Sequence, residues 1–237
     1  GSVTVTASAI AGINLGQGFL STDVGRLIRW RDPATNWTWL LITAYTSTTQ
    51  VTATIKGPSA SAGTATVNWR LGVYSTTTGH PTTATFHEDR LLLAGAELAS
   101  HQIDGSRTGT YLDFSPSDAA GLVTDSHAIS FVLRSGTIDR VFWMQSDEKG
   151  LLVGTASNEW LVRPSSTLEA LTPSNITAKP SSIYGSQDTP AISAGNATLY
   201  VQRAGRKLRE LAYVFESDGF RSPEMTVLSE HITRPQL

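Results

Sequence analysis

Of the 237 residues, 57 are threonine or serine, and 18 of the 31 threonines fall before residue 84. β-Branched and hydroxylated side chains at this density suit strands with one solvated face. Helical periodicity is nearly absent. The clearest alternation, Trp37-Thr38-Trp39-Leu40-Leu41-Ile42-Thr43-Ala44-Tyr45, is followed by the polar turn Thr46 to Thr49 and then Val51-Thr52-Ala53-Thr54-Ile55, a hairpin pattern. Val3 to Ala7 and Gly25 to Trp30 read as two further strands. Four or five strands in this stretch predict a small β-barrel or sandwich.

Gly57-Pro58-Ser59-Ala60-Ser61-Ala62-Gly63 cannot build a core, and a domain boundary is expected near residue 68. Residues 1–79 hold five Lys and Arg against two acids, and residues 80–237 hold 13 against 18, so the two parts carry about +3 and −5. Beyond the boundary, Asp89 to Gly95, Gly150 to Gly154 and Ala197 to Gln202 repeat one theme, a short apolar strand near a glycine turn. With Leu91, Leu151 and Leu199 as markers the spacings are 60 and 48 residues, close to propeller-blade periods of about 40 to 50. Leu151-Leu152-Val153 is expected to pair with Trp160-Leu161-Val162, and Tyr200-Val201-Gln202 with the run Leu208 to Val214. Three blades do not close a ring, since propellers have roughly four to eight, so residues 69–237 are expected to form a partial β-propeller with at least three blade-like units. A short C-terminal helix is expected from Ser222 as N-cap, Pro223 at the first helical position, and Met225, Leu228 and Ile232 on one face. The fold class predicted is thus all-β.

Composition narrows function. A net charge of −2 excludes a polybasic protein. Zero cysteines exclude disulfides, thiolate zinc sites and cysteine nucleophiles. No apolar run of about 18 residues occurs, so no stable membrane insertion is expected, and the first residues lack signal-peptide character. Gly1-Ser2 reads as a cloning remnant, which makes the chain a candidate piece of a longer one. His80, His87, His101, His127 and His231 show no metal-ligand spacing. His87-Glu88-Asp89 is the one close group of a histidine and carboxylates, and reads as a solvated strand or turn because consecutive strand residues point to opposite faces. No catalytic residue, metal or cofactor is predicted.

Two groups remain as candidate binding residues. Arg203, Arg206, Lys207 and Arg209 are the densest basic cluster: either they face phosphates, or they form the polar side of a hairpin and pair with acids such as Glu210 or Glu216. The plainer reading is preferred, with duplex DNA bound no better than millimolar at physiological salt. Trp37 and Trp39 share one strand face, as a sugar-stacking platform or as core, and core is preferred. Asn36, Asn175 and Asn196 begin glycosylation sequons that are chance products of a Thr-rich chain.

Several blocks, in order, carry a resemblance. Trp69-Arg70-Leu71-Gly72-Val73-Tyr74-Ser75, Phe86-His87-Glu88-Asp89-Arg90-Leu91-Leu92-Leu93-Ala94-Gly95, Gly154-Thr155-Ala156-Ser157-Asn158-Glu159-Trp160, Leu171-Thr172-Pro173-Ser174-Asn175, Tyr184-Gly185-Ser186 and Val201-Gln202-Arg203-Ala204-Gly205-Arg206-Lys207-Leu208-Arg209-Glu210 resemble the tail tube nozzle (tail tubular protein B) and related stabilisation proteins of short-tailed bacteriophages. Residues 3–56 look like the small β module of such proteins. The resemblance implies a virion structural protein made in the bacterial host cytoplasm. It implies other tail proteins as partners, a ring of copies when full length, and transient contact with genomic DNA leaving the capsid. It brings no catalytic residue. Ser146-Asp147-Glu148-Lys149-Gly150 is similar to the Asp-box turn of sialidase propellers, itself a hairpin brace. The alternative expectation is therefore a carbohydrate-binding or polysaccharide-degrading tail domain.

Overall fold

The computed structural model describes residues 1–32, 36–58, 65–134, 136, 139–166 and 169–228. The chain is all-β, with four antiparallel sheets. The 17 strands among the described residues are β1 (Ser2–Thr6), β2 (Leu27–Arg31), β3 (Trp37–Ser47), β4 (Gln50–Ile55), β5 (Trp69–Leu71), β6 (Thr83–His87), β7 (Arg90–Ala96), β8 (Ala99–Gly105), β9 (Ile129–Val132), β10 (Val141–Asp147), β11 (Gly150–Thr155), β12 (Glu159–Arg163), β13 (Thr177–Ser182), β14 (Ile192–Ala194), β15 (Ala197–Val201), β16 (Leu208–Val214) and β17 (Gly219–Arg221). Helical structure among the described residues is limited to three 3-10 turns. Two compact units emerge. The first holds Gly1–His80, Ala96–Ala99 and Pro116–Thr124, and the second holds Pro81–Gly95, Ser100–Ser115 and Asp125–Leu237.

The first unit is built on one sheet of order β1-β4-β3-β2-β5, open at β1 and β5. The expected hairpin β3–β4 is present, with Leu40 opposite Ile55 and Ser47 opposite Gln50. Alternation sends Val5, Ile28, Leu40, Ile42, Val51 and Ala53 to one face, where Ile13 and Phe19 from the irregular segment after β1 complete the core. That segment is held by buried Arg26, which donates to Gly72 O (2.7 Å) and Asn14 Oδ1 (2.8 Å) and pairs with Asp23 at 3.0 Å. The unit runs past residue 68, because β5 pairs with β2, Trp69 standing opposite Trp30.

The second unit contains three four-stranded antiparallel meanders in chain order, β6-β7-β8-β9, β10-β11-β12-β13 and β14-β15-β16-β17. Leu151 pairs with Val162 and Val153 with Trp160, and Val201 pairs with Leu208, as the hairpin patterns predict. The middle sheet is covered on both faces. Leu151, Val153, Trp160 and Val162 meet Leu92, Ala94, Ile103 and Ile129 of the first meander, while Trp143 and Leu152 meet Tyr200 and Leu211 of the third. Strand β11 is accordingly buried at every position and reads as an uninterrupted apolar run rather than an alternating one. β6 lies beside β10 and β13 beside β17, a propeller-like stacking of sheets. Pro180 sits in β13, an edge strand, next to a register shift in its pairing with β12, a place where a residue without an N–H is tolerated and discourages pairing with another chain.

The expected C-terminal helix is not formed by its described residues, Ser222 to Leu228. Glu210 N donates to Pro223 O (3.1 Å) and Met225 N to Leu208 O (2.9 Å), so this segment continues alongside β16. Ser222 caps nothing; its hydroxyl bonds Tyr200 Oη at 2.7 Å and its carbonyl accepts from Arg209 at 2.6 Å. Backbone groups satisfied by a sheet edge have no need of a helix. Ile232 lies outside the described residues.

Candidate functional site

The basic cluster of residues 203–209 does not form one surface. Arg209 is buried: Nε donates to Gln202 Oε1 (2.8 Å), Nη1 to Ser222 O, and the guanidinium lies 3.4 Å from the Tyr184 ring centre. Lys207 pairs with Glu224 at 2.6 Å, which holds the Glu224 carboxyl below its ordinary value. The acid that pairs with this cluster is therefore Glu224, where Glu210 or Glu216 was expected. Arg203 and Arg206 are exposed at the turn. Arg209 is thus committed inside the fold, and Lys207 to a partly exposed ion pair.

Trp37 and Trp39 do share one face, but it is the face opposite the core, whose β3 contributors are Thr38, Leu40 and Ile42. Arg29 stands opposite Trp39 and Arg31 opposite Trp37 across the β2–β3 ladder, and Arg70 stands opposite Arg29 across β2–β5. Lys56 N donates to Trp39 O (2.8 Å), and since Ile55 packs toward the core, Lys56 falls on the outer face. Arg70, Arg29, Trp39 and Lys56 form a row across four strands, with Arg31 and Trp37 one step along. The Arg29 guanidinium lies 4.1 Å from the Trp37 ring centre and donates to Ser117 Oγ at 2.5 Å. Residues 119–121 close over the Trp37 edge, where Trp37 N donates to Ala119 O. Arg31, Arg70 and Lys56 are exposed, and none of the four cations has an ion-pair partner among the described residues. Leu27 and Leu41 stand beside Arg29 and Trp39 on this face, and Ser2, Gln50 and threonines from β1 and β4 extend it, with no carboxylate among its strand positions.

In the second unit, the hairpin ends of the first two meanders border a cleft of about 260 Å³ lined by His87, Glu88, Asp147, Glu148, Arg163 and Glu169 among others. His87, Glu88, Asp89 and Arg90 form a two-residue hairpin turn rather than a continuous strand. Glu88 and Asp89 take left-handed φ of 46° and 58°, as a type I′ turn requires. The turn is anchored from outside: Leu171 N donates to Glu88 Oε2 (2.6 Å), Tyr111 Oη to Asp89 Oδ1 (2.7 Å) and Gly109 N to Asp89 O (3.0 Å). Asp147 accepts from Lys149 N (2.9 Å), a brace of its own hairpin. Glu169 accepts from Ser165 and Asn175. These carboxylates hold turns, and no cluster of three metal-ligating side chains occurs among the described residues.

His87 is buried, with Nδ1 2.8 Å from Ser146 Oγ and Nε2 3.7 Å from Glu88 Oε1. Burial lowers its pKa below the ordinary 6.5 against the opposing pull of Glu88 and Asp147. The unfolded chain therefore binds this proton at higher pH than the folded one. Stability is full above about 6.5 and falls as pH drops below it. The urea midpoint should decline from pH 7 to pH 5 in the parent, and less in His87→Gln.

The arginine–tryptophan face escapes sequence reading because the i, i+2 spacings of 29, 31 and 37, 39 show only faces within strands. Which strands adjoin, and in which register, depends on long-range pairing. The positive charge of residues 1–79 is the signal available beforehand. No helix among the described residues is long and apolar enough to cross a membrane. No known protein family matches the chain, and no curated protein matches it.

Proposed function

We propose that the chain is a structural component of a bacteriophage tail tube, part of the conduit through which DNA leaves the capsid, and that it performs no covalent chemistry. The observation that supports this reading is the succession of three stacked four-stranded meanders after a separate β unit, the order of parts that the resemblance implies. The outer face of the third meander adds support. Ile192, Leu199, Val201, Leu208 and Ala212 share it with Glu210 and Arg221 and are exposed or half-buried, a largely apolar outer face of the kind on which a further sheet can pack. Arginine and glutamate side chains committed to turns are what a scaffold needs and an acid–base site does not.

Gold-labelled antibody raised against the chain should mark the tail of intact virions, and purified tails should contain the protein. Its absence from virions would overturn the reading. Clear hydrolysis of host surface polysaccharide by the purified chain would replace it with the polysaccharide-degrading alternative. By itself the chain is expected to be monomeric in light scattering, since ring closure needs complementary patches from neighbours; a stable ring of this chain alone would contradict that.

A further inference from the structure

The outer face of the first unit's sheet has a composition that the rest of the chain lacks. Residues 1–79 contain five cations and two acids, and one pair of these, Arg26 with Asp23, is buried on itself; the segments 96–99 and 116–124 of the same unit add Glu97 and Asp118, the latter accepting from Leu122 N (2.8 Å). Asp32, the other acid of residues 1–79, is buried. The four remaining cations, Arg29, Arg31, Arg70 and Lys56, all fall on the outer face, where no strand position is acidic. The row Arg70–Arg29–Trp39–Lys56 crosses three strand spacings, roughly 14 Å, and sets an indole between guanidinium and ammonium groups. Trp39 is half-buried on this face.

We propose that this face binds single-stranded nucleic acid without sequence preference, the cations meeting phosphates and Trp39 stacking a base. Cations flanking an aromatic ring on a sheet are the physical requirements for such binding, because every base offers a π-face and every nucleotide a phosphate. A neutral polysaccharide would use the ring and leave four charges idle. A rigid duplex would use the charges and hide its bases from the ring. The inference goes beyond the tail-tube reading and stands on the face alone.

The test is fluorescence anisotropy of the whole chain with labelled oligo(dT) of about 20 nucleotides, an equivalent duplex, and polygalacturonate as an anionic polymer without bases. With up to four phosphates neutralised on a single strand, the slope of log affinity against log salt should approach about −2.8, so binding weakens roughly 20-fold between 50 and 150 mM salt. Arg31→Gln/Lys56→Gln/Arg70→Gln, all exposed positions, should lose at least about tenfold in affinity at 50 mM salt and most of the salt slope. Trp39→Ala should weaken oligo(dT) binding by about tenfold, with Trp39→Phe retaining most of it. Arg203→Gln/Arg206→Gln, on the second unit, should leave binding unchanged. A triple variant that binds like the parent, equal affinity for duplex and single strand, or tighter binding of polygalacturonate than of oligo(dT) would each overturn the proposal. Far-UV circular dichroism of each variant matching the parent excludes loss of fold as the cause.

Discussion

Replacing Arg90 with methionine is expected to lower the unfolding free energy of the second unit by about 3–5 kcal/mol, although the side-chain volume is nearly kept. Arg90 is 2% exposed. Its Nη1 donates to Ser106 O and His127 O, both at 2.7 Å, and its Nη2 to Asp125 O at 2.6 Å. Those carbonyls sit at the two ends of the segment that joins β8 to β9, which carries no strand of its own. One planar guanidinium therefore closes that connection at its base. Methionine leaves the carbonyls without their donor, and lysine does not rescue, because a single ammonium cannot copy a fork that reaches three acceptors. Denaturant titration should show the loss. Hydrogen exchange should locate it, with residues 106–128 exchanging faster in Arg90→Met and Arg90→Lys alike. Unchanged exchange in that segment would show that Arg90 does not brace it.

Trp143→Ala should cost about 3–5 kcal/mol, the usual penalty for emptying a buried indole site. Trp143 is 2% exposed and pairs across the β10–β11 ladder with Gly154. Its ring covers that glycine so closely that a Cβ on residue 154 would stand 2.0 Å from Trp143 Cε2 and 2.2 Å from Nε1. On its other side the ring meets Tyr200 at 5.6 Å between centroids. Gly154→Ala should therefore destabilise by about 1–3 kcal/mol through overpacking. The same change made in a Trp143→Ala background should cost much less, since the clash has gone. A double-mutant cycle by urea titration checks this, and the coupling between the two sites should be large compared with about 0.5 kcal/mol, the scatter between independent sites. Additive effects would mean that the indole leaves its site without strain when residue 154 gains a methyl.

The same pair shows where sequence reading stops. In the sequence Gly154 is only the last residue of a short apolar strand near a glycine turn; the structure shows that it is glycine because an indole from the neighbouring strand occupies the space of its side chain. Ser222 and Pro223 have the local chemistry of a helix start, but the free edge of β16 offered their backbone groups partners first. Trp37 and Trp39 alternate correctly and share a face, but alternation does not say which of two faces is covered. That was decided by Ile13 and Phe19, which pack from a segment without strand pattern of its own.

Strand periodicity, hairpin turns and the register within hairpins are local properties, since they depend on residues a few positions apart and on the pleat that sends alternate side chains to opposite sides. They made the all-β class, the β3–β4, β11–β12 and β15–β16 hairpins and the blade-like repeat legible in the sequence alone. Everything that depended on pairing distant segments was decided by tertiary structure: β5 joining the first sheet, the burial of Arg90 and Arg209 against carbonyls far along the chain, and the gathering of Arg29, Arg31, Arg70 and Lys56 beside Trp39. Side-chain chemistry is written in the sequence, but a long-range pairing is chosen by the total of burial and hydrogen bonding over the whole fold. No single stretch of residues contains that total.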